Sequence, residues 1–151
     1  MMTALITEEL VLLDAAGPDR TAVTRLLAER LFAAGRVTDL EGFLADVAAR
    51  EAQMPTGLPG GIGIPHARSE HVTVPTLGFA RVPAGVDFGA EDGPAHLVFL
   101  IAAPASGDQQ HLKILAALAR RLVHQSFRDA LLAAADSNDV VTLITKEVSL
   151  P

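Results

Sequence analysis

Seven consecutive apolar residues, Leu97-Val98-Phe99-Leu100-Ile101-Ala102-Ala103, set the first limit on the fold. The run is far shorter than the ~18–20 residues that span a bilayer, and its length and β-branched content suit a strand. A strand with no polar position belongs in a sheet covered on both faces. Amphipathic helices stand before and after it in the chain. Val23, Leu26, Leu27, Leu31 and Ala34 make one stripe of a helix from Asp19 to Ala34, and Gly35 stops it. Thr38-Asp39-Leu40-Glu41 has the form of a capping box and predicts a second helix to about Ala52, with Leu40, Phe43, Leu44, Val47 and Ala48 at helical spacing. Leu112, Leu115, Ala116, Leu118, Ala119 and Leu122 predict a helix over Asp108–Val123, with Asp108 as N-cap. Two shorter helices follow, capped by Ser126 and by Ser137 or Asn138.

The remaining segments read as strands and loops. Met1–Thr7 is a loose lead-in, and Leu10–Leu13 a short buried strand closed by Asp14–Pro18. Pro55–Gly61 breaks every periodic pattern; Ile62–Ile64 is a very short strand, Thr76–Val82 another, and Pro83–Gly89 a loop. Interleaved helices around a buried strand predict an α/β fold, a three-layer α/β/α sandwich with a central mixed β-sheet flanked by helices. A chain of 151 residues suits a single domain over 1–151.

Charge and composition narrow the function classes. The net charge is -6, and no Lys/Arg-rich run offsets it, so nucleic acid is not an expected partner. The opening MMTALITEEL lacks the basic and apolar regions of a signal peptide. With no apolar run long enough to span, direct membrane insertion is not expected. The absence of cysteine excludes thiol catalysis and zinc-thiolate sites and suits a cytoplasmic protein. No phosphate loop, dinucleotide fingerprint or serine elbow is present, HExxH is missing, and the expectation is a chain with no cofactor and no metal.

Histidines are the remaining chemistry. In GGIGIPHARSEH, Pro65 and Gly60, Gly61 and Gly63 make a stiff, closely packed approach to His66, followed by Arg68. Two readings stand at this point: a preorganised chemical group, with Arg68 available to an anion, or an exposed histidine in a strand-ending turn. His111, near the start of the Asp108–Val123 helix, sits where N–H groups and the helix dipole favour an anion and a neutral imidazole; it reads equally as a helix-start residue facing water. Arg50 caps the second helix or reaches into the loop beyond it. His71, five residues from His66, shares neither a helix face nor a strand face with it, and His96 and His124 read as structural or solvated.

Four segments in order, ELVLLDA, the long stretch ending REAQMPTGLPGGIGIPHARS, LGFARVPAGVDFGAEDGPAHLVFLIAAP and HLKILAALARRL, resemble the IIA domain of the fructose/mannitol class (type 2) of the phosphoenolpyruvate-dependent sugar phosphotransferase system, from about Thr7 to Ile144. The resemblance implies a phosphohistidine carrier. His66 would accept a phosphoryl group from the phosphocarrier HPr and pass it to a IIB domain. His111 and Arg50 would belong to the same site, and Thr56 matches a small hydroxyl position near it. The family often has Glu where this chain has Gln110, a difference in local charge. A nitrogen-branch regulator, whose phosphorylation state governs binding to other proteins, is an alternative within the family. A non-catalytic binding module on the same fold, like the cytoplasmic domain of anion exchangers, has no need of the His66, His111 and Arg50 set. A carrier also needs access for partners, so His66 is expected in a shallow depression rimmed by the Pro55–Gly61 and Pro83–Gly89 loops.

Overall fold

A computed structural model describes residues 4–105 and 110–148, with the side chains of residues 110–112 outside that description. Among the described residues the elements run β1 (Val11–Leu12), α1 (Arg20–Ala33), α2 (Leu40–Gln53), β2 (Gly57–Leu58), β3 (Ile62–Gly63), β4 (His66–Ser69), β5 (Thr76–Val86), β6 (Ala95–Pro104), α3 (Gln110–Leu122), α4 (Gln125–Ala133) and α5 (Ser137–Glu147). The sheet is mixed, in the order β1-β5-β6-β3-β2, with β4 also on β6. β5 runs antiparallel to β6; β3 and β4 both run parallel to it, one after the other along the same edge.

The apolar run is the centre of the molecule. All seven residues from Leu97 to Ala103 are 0–1% exposed, because β6 has strands on both edges and helices on both faces. One face belongs to α1 and α2: a Cβ at Gly78 would lie 3.1 Å from Leu31 Cδ1, and Gly78 pairs with Leu100. The other face belongs to α3–α5. Arg81 pairs with Leu97, and its guanidinium donates to the carbonyls of Leu131, Leu132 and Ala134 at the end of α4. Side chains alternate along a strand, so the register assigns each β4 residue to a face. Ser69 turns toward α2, where its hydroxyl donates to Asp46 at 2.6 Å. His66, opposite Ile101, turns the other way, toward the α3–α5 layer.

Several local expectations change. Ala4 to Thr7 is not loose: Ile6 is buried, the Leu77 amide donates to the Leu5 carbonyl, and Arg36 donates to the Ala4 carbonyl. The cap of α2 is Asp39, which accepts from the Gly42 amide, rather than Thr38, whose hydroxyl donates to the His71 carbonyl. Asp136 caps α5 in place of Ser137 or Asn138. α4 starts at Gln125 behind His124, which makes no side-chain cap bond. β5 runs through the expected loop as far as Val86, carrying Pro83 within the register irregularity between Arg81 and Val86. The proposed Asp108 cap lies outside the described residues. Among the described residues, no helix is long and apolar enough to cross a membrane.

Candidate functional site

Pro65 separates two short strands that share one partner. The Pro65 carbonyl accepts from the Ile101 amide, and β4 begins at the next residue. His66 is therefore the first residue of a strand, not the last residue before a turn. That position corrects the strand-ending reading and explains the stiffness of the approach. A proline between paired strands fixes φ without spending a ladder donor. Gly63 is required because a Cβ there would lie 2.6 Å from the Phe88 ring.

The His66 imidazole is half-buried, and its Nδ1 lies 2.8 Å from the Ile64 carbonyl oxygen. A carbonyl only accepts, so the Nδ1 nitrogen carries the proton and donates it. In a neutral ring the lone pair is then on Nε2. The arrangement is that of a nucleophile with a defined tautomer. Arg68 shares the strand face of His66 by alternation, and its guanidinium donates to the Ala105 carbonyl at 2.7 Å, holding the end of β6. His111 is the second residue of α3, in the helical layer that the His66 face meets. Its side chain lies outside the described residues.

Arg50 and Thr56 belong to the last turn of α2 and the loop that follows it. The Arg50 guanidinium donates to the Met54 carbonyl at 3.0 Å, capping its own helix. Thr56 is 5% exposed and fully engaged: its hydroxyl donates to Glu51 Oε1 at 2.6 Å and its amide to Glu51 Oε2 at 2.8 Å. Its carbonyl accepts from the Ile64 amide at 3.1 Å. Glu51, which the sequence reading passed over, also pairs with Arg20 at 3.1 Å. The signal for it was adjacency to Arg50 in REAQMPTG; what made it invisible is that its partners, Arg20 and Thr56, lie in two other segments of the chain.

The two loops expected to rim the site do meet, through the Gly57 amide to the Phe88 carbonyl and through Pro55 against Gly89. Phe88 itself is buried beneath Gly63 and walls a groove of about 400 Å³ between α1 and α2, together with Arg20, Val47, Glu51 and Pro65. That groove lies behind the His66 strand, on the opposite face from the imidazole. Of the other histidines, His71 packs on Gly42 of α2, with its Nδ1 4.0 Å from Asp39, and His96 Nδ1 donates to the Val82 carbonyl. Neither approaches His66 through a hydrogen bond.

Comparison with known proteins identifies the family. Residues 4–147 match the family model described as phosphoenolpyruvate-dependent sugar phosphotransferase system, EIIA 2. The chain is 39% identical to the PTS system fructose-specific EIIA component of Haloferax volcanii, over 93% of this chain and 92% of that protein. It also matches multidomain proteins: it spans 17% of multiphosphoryl transfer protein 2 of Escherichia coli, at 34% identity. Among solved structures, nitrogen regulatory protein IIA-Ntr from Neisseria meningitidis superposes with a TM-score of 0.85 at 26% identity, covering 93% of this chain and 97% of that one. Enzyme IIA of the mannitol system of Escherichia coli, solved in complex with phosphorylated enzyme IIB, superposes at 0.80 with 25% identity, over 93% of this chain and 97% of that one. With an α/β sandwich, a family match over nearly its full length and a close relative of the same size, the chain belongs to the type 2 EIIA family of the phosphoenolpyruvate-dependent sugar phosphotransferase system.

Proposed function

We propose that this chain is a phosphohistidine carrier that takes a phosphoryl group from HPr onto His66 Nε2 and passes it to a IIB domain, working in the cytoplasm as a single EIIA domain over residues 1–151. The observation that carries the reading is the bond from His66 Nδ1–H to the Ile64 carbonyl, which leaves the Nε2 lone pair as the nucleophile. On acceptance, the bond from phosphorus to the donor histidine breaks as the bond to Nε2 forms. Positive charge builds on the His66 ring, and the Nδ1–H bond to the carbonyl strengthens as it does so. On transfer to IIB the same electron pair returns to Nε2. The proton stays on Nδ1 through both steps, so no general base is needed, and positioning carries most of the catalysis. The N-terminal turn of α3, with His111, supplies N–H groups and a favourable dipole for the phosphoryl oxygens. Arg50, at the end of α2, supplies a cation that leaves the Met54 carbonyl when phosphate arrives.

Incubation with enzyme I, HPr and labelled phosphoenolpyruvate is the test. The wild-type chain takes label and His66→Ala does not; label persisting in His66→Ala would sink the assignment. His111→Ala is expected to accept and pass phosphate more slowly.

The likeness to IIA-Ntr supports a second reading, a regulator whose phosphorylation state governs partner binding. Transfer from the phosphorylated chain to a fructose-type IIB separates the two. Rapid transfer favours transport; no transfer, together with phosphorylation-dependent capture of a partner protein, favours regulation.

A further inference from the structure

The hydrogen bonds at His66 do not stop at the Ile64 carbonyl. The Ile64 amide donates to the Thr56 carbonyl, and Thr56 in turn gives both its amide and its hydroxyl to the two oxygens of Glu51. Arg20, on α1, completes the carboxylate at Oε2, and its guanidinium lies 5.9 Å from the centre of the Phe88 ring. A continuous path therefore runs from the C-terminal turn of α2, through the loop and the β3 edge, to the imidazole.

The backbone makes this path mechanically tight. The residue before a proline is confined to extended ψ values. Once the Ile64 N–H is anchored on Thr56, the direction of the Ile64 carbonyl has little freedom left. That carbonyl decides which ring nitrogen of His66 holds the proton. At the far end, Glu51 is the only charged acceptor in the path. Its side chain is 13% exposed, and its bonds are charge-assisted, the stronger kind. A second ion pair, Arg25 with Glu41 at 2.7 Å, joins the same two helices and touches none of these groups. Holding α1 to α2 does not require Glu51.

We propose that Glu51 is a positioning residue for phosphoryl transfer: through Thr56 and Ile64 it keeps the His66 proton on Nδ1 and the lone pair on Nε2. The proposal rests on His66 being the phosphoacceptor. Glu51 touches neither phosphate nor imidazole, so its effect is read at the ring.

The experiment measures the His66 ring-nitrogen resonances of the unphosphorylated, 15N-labelled chain at alkaline pH, alongside single-turnover transfer from phosphorylated HPr. Wild type is expected to show the Nδ1–H tautomer. Glu51→Ala is expected to show a mixture of tautomers and to slow transfer about tenfold, the scale of one net hydrogen bond, with half-saturation by HPr unchanged. Glu41→Ala is expected to leave both readouts as in wild type. A folded Glu51→Ala with the wild-type tautomer overturns the proposal whatever its rate, since a general loosening of the fold also slows transfer. If Glu51→Ala does not fold, Glu51→Gln is read in its place. It keeps the shape but offers one acceptor oxygen instead of two, so the same direction of change is expected and an unchanged tautomer overturns the proposal. Label on His66→Ala in the preceding experiment would remove the phosphoacceptor reading itself, an outcome distinct from an unmoved tautomer.

Discussion

A hydrogen atom in place of a side chain is what lets the loop before the site close. A Cβ at Gly57 would lie 2.7 Å from the Phe88 carbonyl oxygen and 2.8 Å from the Ala90 amide nitrogen. Both are backbone atoms, so no rotamer change relieves the contact. Gly57→Ala is expected to destabilise the fold by about 1–3 kcal/mol, the usual cost of overpacking, read as a lower urea midpoint at constant slope. Gly63→Ala meets the buried Phe88 ring at 2.6 Å and is expected to destabilise the fold by a similar amount. At this scale the stiff approach to His66 was legible because Pro65 and the surrounding glycines are local signals, but they left its role open until the distant segments of the family likeness were set beside them. The His66 tautomer was not legible, because the acceptor that sets it is a carbonyl whose direction depends on Thr56, eight positions before Ile64 in the chain.

Whole elements show how tertiary contacts redirect local preferences. The Thr38–Glu41 spacing predicts a capping box, yet Thr38 is held by the chain that returns at His71. Its amide and hydroxyl both donate to the His71 carbonyl, beside a bridge between Val37 and Val72. Glu41 is likewise engaged elsewhere, paired with Arg25, whose hydrogen bond holds the Glu41 carboxyl below the usual carboxylate range. The cap therefore falls to Asp39. Asp39→Ala is expected to lower stability by about 1 kcal/mol, the value of an N-cap, and Thr38→Ala by less; thermal unfolding of the two variants compares them. A larger loss for Thr38→Ala would mean that the bridge to His71, not the cap, organises this helix start. β4 is the other element that local reading missed. Its four residues carry no strong alternation, and it is a strand because β6 offers its free edge beyond β3.

Across the whole molecule, β6 is the part that everything else depends on. Leu100 is fully buried, pairs with Gly78 and faces α1, so removing its side chain leaves a cavity in the core. Leu100→Ala is expected to cost about 2–5 kcal/mol, measured by urea unfolding. The fold class, the central strand and most helices were legible because hydrophobic period is a local property of the chain: an unbroken apolar run between amphipathic helices has few other ways to hide from water. The distant segments that carry the family likeness were legible for the same reason, as residue patterns that need no coordinates. What tertiary structure alone decided is which groups meet. The register of β4 on β6 turns His66 toward the α3 layer, and the return of the loop to α2 brings Thr56 onto Glu51 and Ile64 onto Thr56. Register and loop closure come from pairing and packing between segments far apart in sequence, and a pattern read along one segment contains no information about the partner that fixes it.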